Sequence, residues 1–123
     1  MAAVGVPWSA NTTPTSRPPA PRGTLLPPSA APPTGERSER VTVHGNVVVE
    51  QILSGANEEP QRYVQTQDEW VTLLTGAAVL DVDGERMDLR PGDWVFLAAA
   101  VPHAVVRTDA GTSWLAVHLS PPR

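Results

Sequence analysis

Nine of the fourteen prolines lie at or before Pro33, in stretches such as TSRPPAPRG and LPPSAAPP, and they divide the 123-residue chain more sharply than any other feature. Proline fixes φ, removes a backbone donor and pushes the residue before it out of the helical region. A segment interrupted this often is expected to build neither a helix nor a sheet ladder. The small and polar residues between its prolines bury too little to offset chain entropy. Residues 1–40 are therefore expected to form a disordered or loosely docked arm, with Thr24–Leu26 as its docked stretch. Its charge is +2, from four Arg and two Glu, against −6 for residues 41–123, from five Arg and eleven acidic side chains. An arm that folds against the acidic domain to bind a partner is the alternative.

From Val41 onward the pattern is that of β-structure. VTVHGNVVVEQIL is rich in β-branched residues, and EWVTLLT, AAVLDV, RMDL, WVFLA, HAVVRT and WLAVHLS follow at short intervals. Each run is bounded by Gly, Pro, Asp or Asn, and none is long enough to carry a helical period. Evenly spaced short strands of this kind predict an all-β sandwich or barrel. Asp83-Gly84 predicts a type I′ hairpin turn, which needs positive φ at both central positions, and Pro91-Gly92 predicts a second turn. A domain this small is near the lower limit for a stable core, so a homodimer is expected. Trp70 and Trp94, on outward strand positions, are candidates for the contact or for a gap under the arm.

Composition narrows the function. With 9 Arg, no Lys, 13 acidic residues and a net charge of −4, the chain lacks the basic field that nucleic acid or an anionic membrane requires. The absence of cysteine excludes disulfides, thiolate catalysis and iron–sulfur clusters. Trp94–Pro102, the longest apolar run at nine residues, is about half a membrane span. No basic segment followed by an apolar core opens the chain, so a cytoplasmic protein is expected. No glycine-rich phosphate loop occurs, and Ser113 and Ser120 have no nucleophile–base setting.

Two spacings are specific. EWVTLLTG places Glu69 seven residues before Gly76, and PGDWVFLAAAVPH places Gly92 eleven residues before His103. Both resemble the signature motifs of the cupin superfamily, over roughly residues 46–119. The first family motif is an H-x-H followed by a glutamate and then a glycine; Glu69 and Gly76 keep its final interval, while Tyr63 and Gln65 stand at the two histidines. In the second motif Gly92 and His103 match, P-x-G has become Ala98-Ala99-Ala100, and the terminal Asn is Arg107. The resemblance, to small single-domain bacterial cupins, implies a jelly-roll β-barrel of about eight short antiparallel strands over residues 41–123.

It also implies a divalent metal inside the barrel, held in typical members by three imidazoles and a carboxylate. Glu69 and His103 would be the retained ligands, with Gln65 and Tyr63 supplying oxygen. Such a set suits Mn, Fe, Ni or Zn. A phenol must first lose a proton of ordinary pKa near ~10 to ligate well. The expected function is divalent-metal binding together with binding of a small organic molecule. The metal would act as a Lewis acid or oxygen-activating centre if the protein is an enzyme. Two alternatives stay open: a metal-free binder or accessory protein in which Glu69 and His103 form a charge-assisted hydrogen bond, and a general acid–base pair acting on a bound metabolite. Arg107, if inward, would clamp a carboxylate or phosphate; otherwise it would pair with Asp68, Asp93 or Asp109. His118 shares a face with Trp114 and Ala116 and is expected to be a non-ligand. His44, before Gly45-Asn46, is expected in an exposed turn.

Overall fold

Short β-branched runs pair into nine strands in the computed structural model, which describes Gly5 and residues 18–121. They are β1 (Glu36–His44), β2 (Val47–Ser54), β3 (Gln61–Tyr63), β4 (Asp68–Thr75), β5 (Ala78–Val82), β6 (Glu85–Leu89), β7 (Trp94–Leu97), β8 (His103–Thr108) and β9 (Thr112–Leu119). Two antiparallel sheets result, one ordered β1-β2-β9-β4-β7 and the other β3-β8-β5-β6. The only helical element among the described residues is a 3₁₀ turn at Pro28–Ala30. No helix there is long and apolar enough to cross a membrane.

The turns follow their chemistry. Asp83 and Gly84 have φ of 49° and 87°, which joins β5 to β6 through the expected turn. Gly76, the motif glycine between β4 and β5, has φ of 86°, and a Cβ there would stand 2.4 Å from Thr112 Oγ1. A side chain at that corner would clash as well as strain the backbone. His44 is exposed at the end of β1, before the Gly45-Asn46 turn.

Strand alternation sends Val71 and Leu73 of β4, Val95 and Leu97 of β7, and Trp114 and Ala116 of β9 into the space between the sheets, where Ala78, Leu80 and Leu89 meet them. Burying side chains such as Leu73 and Leu80 stabilises the fold by about 1.5–3 kcal/mol each. The Trp114 indole N–H donates to Ser54 Oγ at 3.1 Å, so its polar atom is not stranded in the core.

Two features differ from expectation. First, β1 begins at Glu36, ahead of the Val41 boundary. The sequence ERSER has no apolar alternation, but an edge strand exposed on both faces needs none, and its backbone pairs with β2 from Glu36↔Ser54 onward. Second, the arm docks on the outer face of the larger sheet at β2. Leu26 N–H donates to Gln51 Oε1 at 2.8 Å, and Gln51 Nε2 donates to Leu26 O at 2.9 Å and to Ser113 Oγ at 3.1 Å. Gln51 is only 2% exposed, and Leu53, on the same face of β2, is fully buried. The docking expected at Thr24–Leu26 thus occurs at Leu26. The disorder expected before residue 18 lies outside the described residues, Gly5 apart.

Candidate functional site

One end of the barrel interior stays unfilled. A cavity of about 150 Å³ opens between the sheets, and Tyr63, Gln65, Glu69 and His103 all line it. The topology explains the convergence: Glu69 points inward from β4 in one sheet, His103 from β8 in the other, and Tyr63 pairs with His103 across β3–β8. The Tyr63 and His103 rings stack, with centroids 5.7 Å apart. Glu69 is 6% exposed and His103 8%.

Glu69 and His103 line the same cavity but form no ion pair or hydrogen bond with each other among the described residues, so the expected charge-assisted pair is absent from the geometry. His103 Nδ1 lies 3.2 Å from Val101 O, in the loop that leads into β8. The nearest ionic partner of Glu69 is His118, with Nδ1 3.8 Å from Glu69 Oε1. His118 shares a face of β9 with Trp114 and Ala116, as expected, and that face is the interior one, since both are core residues. His118 Nε2 stands 2.8 Å from Glu50 Oε1, and Gln67 Nε2 faces Nδ1 at 3.3 Å.

Arg107 is not in the cavity. The β5–β8 ladder runs Leu80↔Val105 and then Val79↔Arg107, so Val106 is an extra residue in β8. A bulge of this kind inverts the alternation, and Arg107 leaves the face shared by His103 and Val105. The guanidinium is exposed beside Asn57, Glu58 and Glu59, in a separate surface groove. The expected ligand clamp is therefore corrected to a surface cation. Trp70 and Trp94 lie on the outer face of β4–β7, as expected, with centroids 6.4 Å apart.

Glu36, Glu50 and Trp114 also line the cavity, and sequence reasoning did not select them. A glutamate inside VVVEQIL is the signal that was available for Glu50: a charge in the middle of an apolar strand marks a polar interior. Nothing local distinguishes Glu36, since its inward position depends on the register of an edge strand. Burial, then the charges of Glu50 and Glu69, hold the Glu36 carboxyl above its ordinary 4.5. Burial, then Glu36 and Glu69, push the Tyr63 phenol above 10.

These donors do not fit a resident divalent metal. No three His, Asp or Glu side chains among the described residues are placed to hold one. Two of the three positions where the family motifs have imidazoles carry a neutral amide, Gln65, and a phenol, Tyr63, whose proton is held more tightly than usual. Gln65 lines the cavity, and its Oε1 is buried with no hydrogen-bond partner among the described residues.

The family model for the cupin domain matches residues 48–118. No curated protein matches the chain. Among solved structures, a candidate mannose-6-phosphate isomerase from Ralstonia eutropha is 31% identical with a TM-score of 0.68, covering 80% of this chain and 100% of its own. A cupin superfamily protein from Desulfitobacterium hafniense shares 21% identity at a TM-score of 0.60, covering 82% and 94%. An RmlC-like cupin from Shewanella frigidimarina shares 20% at 0.61, covering 72% and 78%. With the motif spacings, the two-sheet barrel and the family match in agreement, this chain belongs to the cupin family.

Proposed function

We propose that this cupin binds a small organic molecule in its barrel and that binding does not depend on a metal ion. The observation that carries this reading is a cavity of about 150 Å³ lined by Glu36, Glu50, Gln65, Glu69 and His103, with the buried Gln65 Oε1 left unpartnered at its wall. An orphaned buried acceptor costs about 1–3 kcal/mol, and a ligand that donates to it offsets that cost. A cavity of this size takes a molecule about as large as benzene. Sugar-phosphate isomerisation, suggested for the Ralstonia protein, is not carried over: a phosphate ester would face Glu36, Glu50 and Glu69 with no Arg or Lys among the lining residues.

The test is a fragment screen of neutral, anionic and cationic compounds by ligand-observed NMR, with Trp114 fluorescence as a second readout. Val105→Phe, which fills the cavity from β8, is the control. Fragments that bind wild type and lose affinity in the variant support the reading. A screen in which nothing distinguishes the two proteins overturns it.

We also propose that the protein is a homodimer through the outer face of β4–β7. Trp94 and Phe96 are 62% and 48% exposed there, beside Trp70. Light scattering should give a dimer for wild type and a monomer for Trp94→Ser. A wild-type monomer at micromolar concentration would refute it.

A further inference from the structure

Three of the residues around the cavity are glutamates, each from a different strand of the larger sheet: Glu36 on β1, Glu50 on β2 and Glu69 on β4. No arginine among the described residues lines the cavity, and the chain contains no lysine. His118 already engages Glu50 from behind the lining at 2.8 Å, while Glu69 has only the more distant Nδ1 of the same ring and Glu36 has no ion-pair partner among the described residues. The Glu69 side chain is 8% exposed, has no hydrogen bond among the described residues, and stands 3.8 Å from its nearest ionic neighbour. Gln65 Oε1 is a fourth acceptor, buried and unpartnered, on the loop between β3 and β4.

From this geometry we infer that the natural ligand is a small primary amine, bound as its ammonium ion by Glu69, Gln65 Oε1 and the carboxylates of Glu36 and Glu50. The inference rests on the cavity being a ligand site and names the class of ligand. An ammonium group carries one positive charge and three N–H donors, which match an acceptor-rich, anionic wall. A tetraalkylammonium ion has the charge but no donor, and would leave Gln65 Oε1 unsatisfied. An alcohol has a donor but no charge, and would leave the carboxylates repelling one another. The Tyr63 and Trp114 side chains supply aromatic surface for the adjoining hydrocarbon and the cation. The repulsion is visible in Glu36, whose carboxyl is raised partly by Glu50 and Glu69.

Calorimetric titration of the full chain with cyclopentylamine, cyclopentanol, cyclopentanecarboxylate, tetramethylammonium and MnCl₂ tests this, in wild type, Glu36→Gln, Glu69→Gln and Gln65→Met. The amine should bind at least about tenfold more tightly than the alcohol, the gain expected of one charge-assisted hydrogen bond. Glu69→Gln should remove about tenfold of that affinity, and Glu36→Gln, at the exposed mouth, about threefold, with alcohol binding unchanged. Because Glu36 is solvent-facing, its variant keeps the test sound even if Glu69→Gln folds poorly. Gln65→Met should weaken the amine and leave tetramethylammonium unaffected.

Equal affinity for amine and alcohol, or preference for the carboxylate, would overturn the ligand class and leave a binding cavity standing. Tetramethylammonium binding as tightly as the amine would overturn the hydrogen-bonding argument. Displacement of the amine by Mn²⁺ at micromolar concentration would replace the organic cation with a metal. If no probe binds and the fragment screen is also blank, the cavity reading itself fails.

Discussion

Ala100 carries a left-handed backbone, with φ of 66°, in the place where the family motif has a glycine. Its N–H donates to Gln65 O at 2.8 Å, so the strained residue also anchors the backbone of the cavity's unpartnered amide. An L-residue in this region costs about 1–2 kcal/mol. Replacing it with glycine removes that cost but adds about 0.4–1 kcal/mol of unfolded-state entropy. The difference predicts that Ala100→Gly is more stable than wild type by about 0.5–1 kcal/mol. For a domain of this size that corresponds to about 2–8 °C in Tm. Ala99 is the internal control, being exposed and adjacent but free of positive φ, with an N–H that bonds Asp68 Oδ1 at 2.8 Å in either variant. Ala99→Gly should therefore lose stability, by about 0.4–1 kcal/mol. Calorimetric melting of the three proteins decides it. If both glycine variants melt below wild type by similar amounts, the strain argument is wrong.

Gln51→Leu should destabilise by about 2–4 kcal/mol in urea unfolding, because it strands Ser113 Oγ and releases both polar groups of Leu26; a change below about 0.5 kcal/mol would mean the arm contributes nothing there. Glu36 holds its proton more tightly folded than unfolded, so its penalty is absent below its ordinary 4.5 and grows as pH rises through the raised value. Glu36→Gln should accordingly raise Tm at pH 7 and leave it unchanged near pH 4, and an equal shift at both would disprove the electrostatic cause. Plasma mass spectrometry of protein purified without chelator should find Mn, Fe, Ni and Zn far below one equivalent, with no change in Tm on adding Mn²⁺. A stoichiometric metal lost in Glu69→Ala would reverse the conclusion drawn from the donor set.

The barrel was legible because its signals are local. Runs such as EWVTLLT and WVFLA alternate cleanly, and Asp83-Gly84 specifies its own turn. The spacing from Glu69 to Gly76 and from Gly92 to His103 brought the correct cavity residues into view. What escaped depended on neighbours distant in the chain. The part His118 plays beside the site depends on Glu50 and Glu69 of the flanking strands β2 and β4, neither of which is near it in sequence. Glu36 faces the cavity through the pairing of an edge strand whose own sequence has no inside. Arg107 was misplaced by one residue of register, since counting by twos from His103 cannot reveal an insertion made against β5.

That inserted residue governs more than one side chain. Val106 sets the parity of β8 beyond Val105, and parity decides whether a guanidinium belongs to the solvent or to the barrel interior. Adding one residue to β5 opposite Val106, with no charged residue altered, would make the ladder regular, turn Arg107 toward the inner side of its strand and place a cation in a barrel whose cavity is otherwise anionic. The polarity of a barrel is thus encoded in strand length as well as in composition. A short insertion or deletion can change the sign of the ligands it admits while every charged residue is retained.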